Sequence, residues 1–298
     1  MRHTLPGLAK GVFASPRRPL ATAMVIAAGA GLAGAAPASA KKVVDENYLP
    51  FVHCPAFIKH LEACVLATTT SGEFHLGSKT VKIETPVTLQ GGLMFPPKDT
   101  PEDSRELIAP TDGSPILIAA PMKVPGGLTG VEGTETEATE VFATTELVGP
   151  VIVNVANQVE EKGIAVELPI RVKLSNPTLG EECFVGSAAE PIALHLTTGA
   201  TAPPGPNTSI HGSKGTLSVA DNIATFSGLT LVDNSFGAPG AHGCGGPGLE
   251  TVVDAIVNAA SGLPAAPGTN TAILNGSVKE GFPKFVKKAH VLPKKPKA

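Results

Sequence analysis

Glycine and proline interrupt this chain every few residues, and no other feature limits its fold so sharply. The 33 Gly and 28 Pro of the 298 residues are scattered along the chain rather than gathered into one linker. Proline removes a backbone donor and blocks helix continuation, while glycine loses the most entropy on ordering, so long helices are excluded almost everywhere. Between the interruptions stand short alternating runs rich in β-branched residues: Thr80–Thr85, Pro115–Ile118, Glu140–Thr144, Val151–Val155, Ile164–Leu168, Ile170–Leu174, Ile192–Leu196 and Thr216–Val219. Many short strands separated by turn signals imply a mainly β fold, an antiparallel β-sandwich or an open barrel.

Two segments depart from that pattern. Leu249, Val252, Val253, Ile256, Val257 and Ala260 recur at helical spacing and predict one short helix that caps the sheet near the C-terminus. Phe57, Ile58, Leu61 and Val65 predict a second short helix within 56–66.

Residues 1–40 read as a signal peptide. Positive charge alone, at Arg2, Lys10, Arg17 and Arg18, precedes an uncharged run rich in Ala and Gly that ends in Ala38-Ser39-Ala40. Only small side chains fit the shallow pockets of a signal peptidase, so cleavage is expected between Ala40 and Lys41. The run is too poor in Leu, Ile and Phe to make a stable membrane anchor. The pair Arg17-Arg18 leaves both the general and the twin-arginine export routes open. The mature product is then secreted or associated with the cell envelope.

Export changes how the cysteines are read. Cys54, Cys64, Cys183 and Cys244 all lie after the leader, and an even number in an oxidising compartment implies two disulfides. Of the three possible pairings, Cys54 with Cys64 and Cys183 with Cys244 is favoured, since each pair shares a neighbourhood marked by Gly or Pro. His53 and His60 beside the first pair could ligate zinc, but their spacing matches no common zinc pattern. No metal or cofactor is expected.

Charge is polarised along the mature chain. Residues 41–278, the expected β-rich domain with two packed sheets as one arrangement, hold 25 acidic against 12 basic residues. Residues 279–298 hold seven Lys and one Glu. This end reads as a flexible tail, or as an electrostatic tether to anionic cell-wall polymer or lipid head groups. The acidic body, the absence of Trp and the single Tyr, Tyr48, argue against nucleic-acid binding and against sugar stacking.

Catalytic signals are thin. In His211-Gly212-Ser213-Lys214-Gly215 a histidine stands where a nucleophile elbow requires glycine, so Ser213 reads as a loop serine. Glu181 and Glu182, adjacent on an extended chain, would face opposite ways and make no glycosidase pair. Asp233 reads as a turn residue, and no Asp-x-Asp-x-Asp calcium loop occurs.

Several phrases resemble a set of exported proteins from high-GC Gram-positive (actinobacterial) bacteria. They are Leu89-Gln90-Gly91-Gly92-Leu93, Val124-Pro125-Gly126-Gly127-Leu128, Asn176-Pro177-Thr178-Leu179-Gly180, Cys183-Phe184-Val185-Gly186-Ser187 and Val232-Asp233-Asn234-Ser235-Phe236. The resemblance spans Cys54 to about Asn270 and implies a shared exported β fold with its cysteines. It implies no activity.

The sequence therefore points to a secreted or envelope-associated structural or binding protein without catalytic activity. The alternative is an exported hydrolase whose site is assembled from distant loops, with His195, His211 or His242 beside a carboxylate in a polar pocket. A small apolar ligand held between sheets is a third arrangement.

Overall fold

The computed structural model of the protein describes residues 43–95 and 103–293. The expected signal peptide, its cleavage point between Ala40 and Lys41, and residues 294–298 of the expected tail lie outside them.

A 3-10 helix, Glu46–Phe51, precedes β1 (Leu61–Leu76), β2 (Lys79–Lys82) and β3 (Val87–Met94). Then come β4 (Ser104–Ile108), β5 (Leu117–Ile118), β6 (Met122–Val124), β7 (Val141–Leu147), β8 (Ile152–Asn154) and α1 (Val155–Glu160). β9 (Val166–Ser175), β10 (Phe184–Val185), β11 (Ile192–Leu196), β12 (Thr216–Ala220), β13 (Ile223–Asp233) and β14 (Ala241–His242) follow. The described chain closes with α2 (Glu250–Ser261), β15 (Thr271–Gly281) and α3 (Pro283–Lys288). Among the described residues no helix is long and apolar enough to cross a membrane.

The strands make one antiparallel sheet, ordered β12-β13-β15-β1-β3-β4-β8-β9-β10-β14, with the remaining strands paired to its members. β11 pairs with β9, and the residue after it, Thr197, bridges Val232 of β13. The path β13-β15-β1-β3-β4-β8-β9-β11 thus returns to its start. This is an open barrel, joined along its last seam by a single bridge.

Alternation decides what fills it. In β9 the residues Val166, Leu168, Ile170, Val172 and Leu174 are buried, and in β11 so are Ile192, Leu194 and Leu196, while the residues between them face outward. Pro169 lies in the middle of β9 yet costs no ladder bond. Its carbonyl accepts from Val148 N at 3.1 Å where β7 ends and β8 takes over the same edge of β9, so its missing donor falls at a gap between partners.

Two bulges at one level roll the long strands round. Thr69 of β1 and Leu229 of β13 both pair with Gly276 of β15, and each ladder slips a residue there. A Cβ on Gly276 would lie 1.9 Å from the Thr68 carbonyl oxygen, so only glycine fits.

A second, smaller core lies under the 3-10 helix and α3, where Tyr48, Phe51, Cys64, Ile223, Val286 and Ala289 pack together. The Tyr48 hydroxyl donates to the Asp221 carbonyl at 2.5 Å and fastens the 3-10 helix to the β12–β13 turn. Burial and the nearby Asp45 and Asp221 carboxylates raise its pKa. Both disulfides form as favoured, Cys54–Cys64 and Cys183–Cys244. The second closes a span of 61 residues and fastens the segment before β10 to that after β14.

Three expectations are corrected. Residues 61–66 form the start of β1 rather than a helix, because that segment is hydrogen-bonded to β3 and β15 on both edges and His60, at φ 64°, breaks the chain direction just before it. α2 exists as predicted, but only Val257 of its apolar stripe is fully buried, while Leu249, Val252 and Ile256 are exposed. Finally, the Lys-rich end is structured through residue 293. Lys279 sits in β15, and α3 buries Val286 while turning Lys284, Lys287 and Lys288 to solvent.

Candidate functional site: an apolar cavity in the barrel

The inward residues do not fill the barrel completely. They enclose a cavity of about 130 Å³, walled by aliphatic side chains such as Val65, Leu89, Leu107, Leu168, Leu194 and Leu231. A cavity of about 150 Å³ with such walls stays dry and takes benzene. Phe74, Met122 and Thr145 divide it from a second apolar chamber of about 70 Å³ beneath Leu174 and Leu263.

Besides the hydroxyl residues Thr68, Thr69, Thr145 and Ser277, two residues bring a more strongly polar group to the apolar wall. The first is Gln158. α1 begins at Asn154, whose side chain accepts from Asn157 N at 2.9 Å, and ends at Glu161 in the left-handed region. Thr198 Oγ1 donates to the Gln158 carbonyl at 2.8 Å, and Lys214 Nζ donates to the Val159 carbonyl at 3.0 Å. These bonds strap α1 against the barrel, and they hold Gln158 at 3% exposure with its side chain in the cavity wall. Its Nε2 has no hydrogen-bond partner, which costs about 1–3 kcal/mol. Asn234 Oδ1 is also buried without a partner, but it does not line the cavity.

The second is Glu280 of β15. Burial first, and then the nearby Glu62 carboxylate, raise its pKa above the ordinary glutamate value. Glu62 is itself paired with Arg105. The registers Asn154↔Ser104, Met94↔Glu106, Leu61↔Met94 and Cys64↔Gly281 run along one rim, so α1 and Glu280 belong to the same end of the barrel.

Neither residue carries a sequence signal. Gln158 sits in a polar stretch and Glu280 in the Lys-rich end, and only the ladder brings them to one cavity.

The residues singled out from sequence lie elsewhere. His195 is exposed, and its backbone N donates to Asp233 Oδ2 at 2.7 Å. The other oxygen of Asp233 accepts from Ser235 N at 2.8 Å, making it the expected turn residue. His211 Nδ1 lies 2.7 Å from the Gly212 carbonyl, and His242 Nε2 lies 3.2 Å from that of Gly186. Ser213 Oγ accepts from Gly215 N at 3.1 Å, as a loop serine does. Glu181 faces solvent beside Lys173.

One His-carboxylate-Ser group does form, between His53, Asp112 and Ser114. Asp112 Oδ2 and Ser114 Oγ both reach His53 Nδ1, at 2.8 and 3.0 Å. A relay needs the carboxylate on one ring nitrogen and the nucleophile on the other. With both on Nδ1, the group pins one loop to another and cannot pass a proton from serine to histidine to carboxylate. The hydrogen bond from His53, with that from Ser114 N, lowers the Asp112 pKa to about 2. Cys54 and Cys64 are committed to their disulfide, and among the described residues no cluster of His, Cys, Asp or Glu could hold a metal ion.

No protein family matches the chain, and no curated protein or solved structure shows significant similarity to it.

Proposed function

We propose that this chain is an exported, envelope-associated binding protein that holds a small, neutral, largely apolar molecule inside its barrel. The observation that carries the reading is Gln158, a buried amide in the wall of an aliphatic cavity whose Nε2 has no hydrogen-bond partner. A ligand carbonyl or ether oxygen accepting from Nε2 would relieve that cost while its carbon skeleton covers the apolar wall. The residues lining the cavity include Glu280 but no Lys, Arg or His that could pair with a carboxylate head, so the matching class is an uncharged ketone, ester or amide of single-ring size. Export is supported by the charge pattern of residues 1–40 and by the two disulfides. It also agrees with the resemblance to exported proteins of high-GC Gram-positive bacteria.

The test is native mass spectrometry and thermal unfolding of the full mature protein with cyclohexanone and with methylcyclohexane, which share a shape but differ in the acceptor. Cyclohexanone is expected to bind more tightly, and at about 100-fold over its Kd to add about 2.7 kcal/mol of stability. Gln158→Leu should abolish the preference. Equal weak effects of both compounds in both proteins would refute the reading. Cell fractionation with intact mass before and after reduction tests the location, with Lys41 expected as the first residue.

A further inference from the structure

We propose that the rim of the barrel at its Glu280 end is a docking surface for an anionic lipid membrane. This surface is separate from the cavity, and its test needs no cavity ligand. Phe57 and Phe282 line one surface groove, 58% and 56% exposed. The small core of this end is filled by other residues, Phe51 and Val286 among them, at 1% and 0% exposure. Around Phe57 and Phe282 are Lys59, Lys284 and Lys287, all exposed, with Lys287 Nζ 6.0 Å from the Phe57 ring centroid. Lys288 follows on the outer face of α3. Glu62, the carboxylate lining the groove, is paired with Arg105.

The combination is what selects the partner. Lysines alone would suit any polyanion, including a wall polymer, but a hydrated polymer offers nothing to two bare phenylalanine rings. A lipid surface offers both. Anionic head groups attract the lysines, and rings of this kind settle at the boundary between head groups and acyl chains. The chain adds Lys294, Lys295 and Lys297 in sequence just after this rim.

The experiment is co-sedimentation of the full mature chain with vesicles of phosphatidylcholine alone and of phosphatidylcholine with phosphatidylglycerol in equal parts, at low and high salt. Binding is expected to the mixed vesicles only and to fall with salt. Phe57→Ser with Phe282→Ser should weaken it roughly tenfold or more, and Lys284→Glu with Lys287→Glu by roughly fivefold or more per lysine. All four positions are exposed, so unchanged circular dichroism and unchanged disulfides report that each variant is folded. Equal binding to both vesicle types would overturn the proposal. So would phenylalanine variants that bind like the parent while the lysine variants fail, since the partner would then be a polyanion rather than a lipid surface. Loss of binding only on deletion of residues 294–298, with the rim variants silent, would overturn it as well.

Discussion

Thr197 and Val232 exchange two backbone hydrogen bonds of 2.9 Å, the backbone bridge by which the end of β11 meets β13 beside the bond from His195 N to the Asp233 side chain. Thr197→Pro removes the donor at Thr197 and leaves the Val232 carbonyl without its partner. The expected loss is about 1–3 kcal/mol in urea unfolding. Unfolding identical to the parent would show that the seam contributes nothing to closure.

Glu280 makes the protein less stable as pH rises. Its folded pKa is raised, so the folded state holds the proton more tightly than the unfolded state does. The resulting stability is fully present below the ordinary glutamate value of 4.5 and is lost as pH climbs through the raised value. Glu280→Gln should therefore stabilise the protein at neutral pH and flatten its stability between those two values. A variant less stable than the parent at pH 7 would contradict this account.

Asp112 has the opposite sign. Its pKa of about 2 lies below the ordinary 3.8, so what it contributes is present above 3.8 and disappears as pH falls through about 2. The pair is partly exposed, with His53 at 39%, so the contribution is small and screened by salt. In a carboxyl titration followed by NMR, His53→Ala should move the Asp112 midpoint upward toward 3.8. A midpoint that stays near 2 would assign the depression to the Ser114 backbone alone.

The two disulfides differ in what they constrain. Cys183–Cys244 restricts a span of 61 residues and Cys54–Cys64 one of 10. Replacing Cys183 and Cys244 with Ala is expected to cost about 4 kcal/mol, and the shorter pair about 3 kcal/mol or less. Denaturant midpoints of the two double variants decide the order. Finding the shorter bond the more stabilising would mean that local packing around Cys64, rather than loop entropy, sets the effect.

Where short-range chemistry decides, the sequence is legible. Ile164–Leu168 and Ile170–Leu174 each alternate strictly enough to declare a strand, and the structure joins the two runs through Pro169 into the single strand β9. β1, β3, β13 and β15, the long wall of the barrel, were not legible in the same way. Each carries glycine that looks like a turn: Gly72 in β1, Gly91 in β3, Gly228 in β13 and Gly276 in β15. In the folded protein Gly72, Gly91 and Gly276 serve close approach, while Gly228 takes a left-handed φ of 70°. A Cβ on Gly72 would lie 1.9 Å from the Ile273 carbonyl oxygen, a contact that no reading of residues 61–76 alone contains.

The sequence by itself determined the β class, the positions of most short strands and the two cysteine pairs, because these rest on backbone freedom, local alternation and the chemistry of thiols. Only the tertiary structure decided that the sheet curls back to join Thr197 to Val232, that Gln158 lines a cavity, and that Phe57 and Phe282 line one groove. Those relations join residues far apart in the chain, as Cys64 joins Gly281 across β1 and β15. Such contacts form only when the whole barrel buries its apolar faces at once, and no local pattern of residues encodes them.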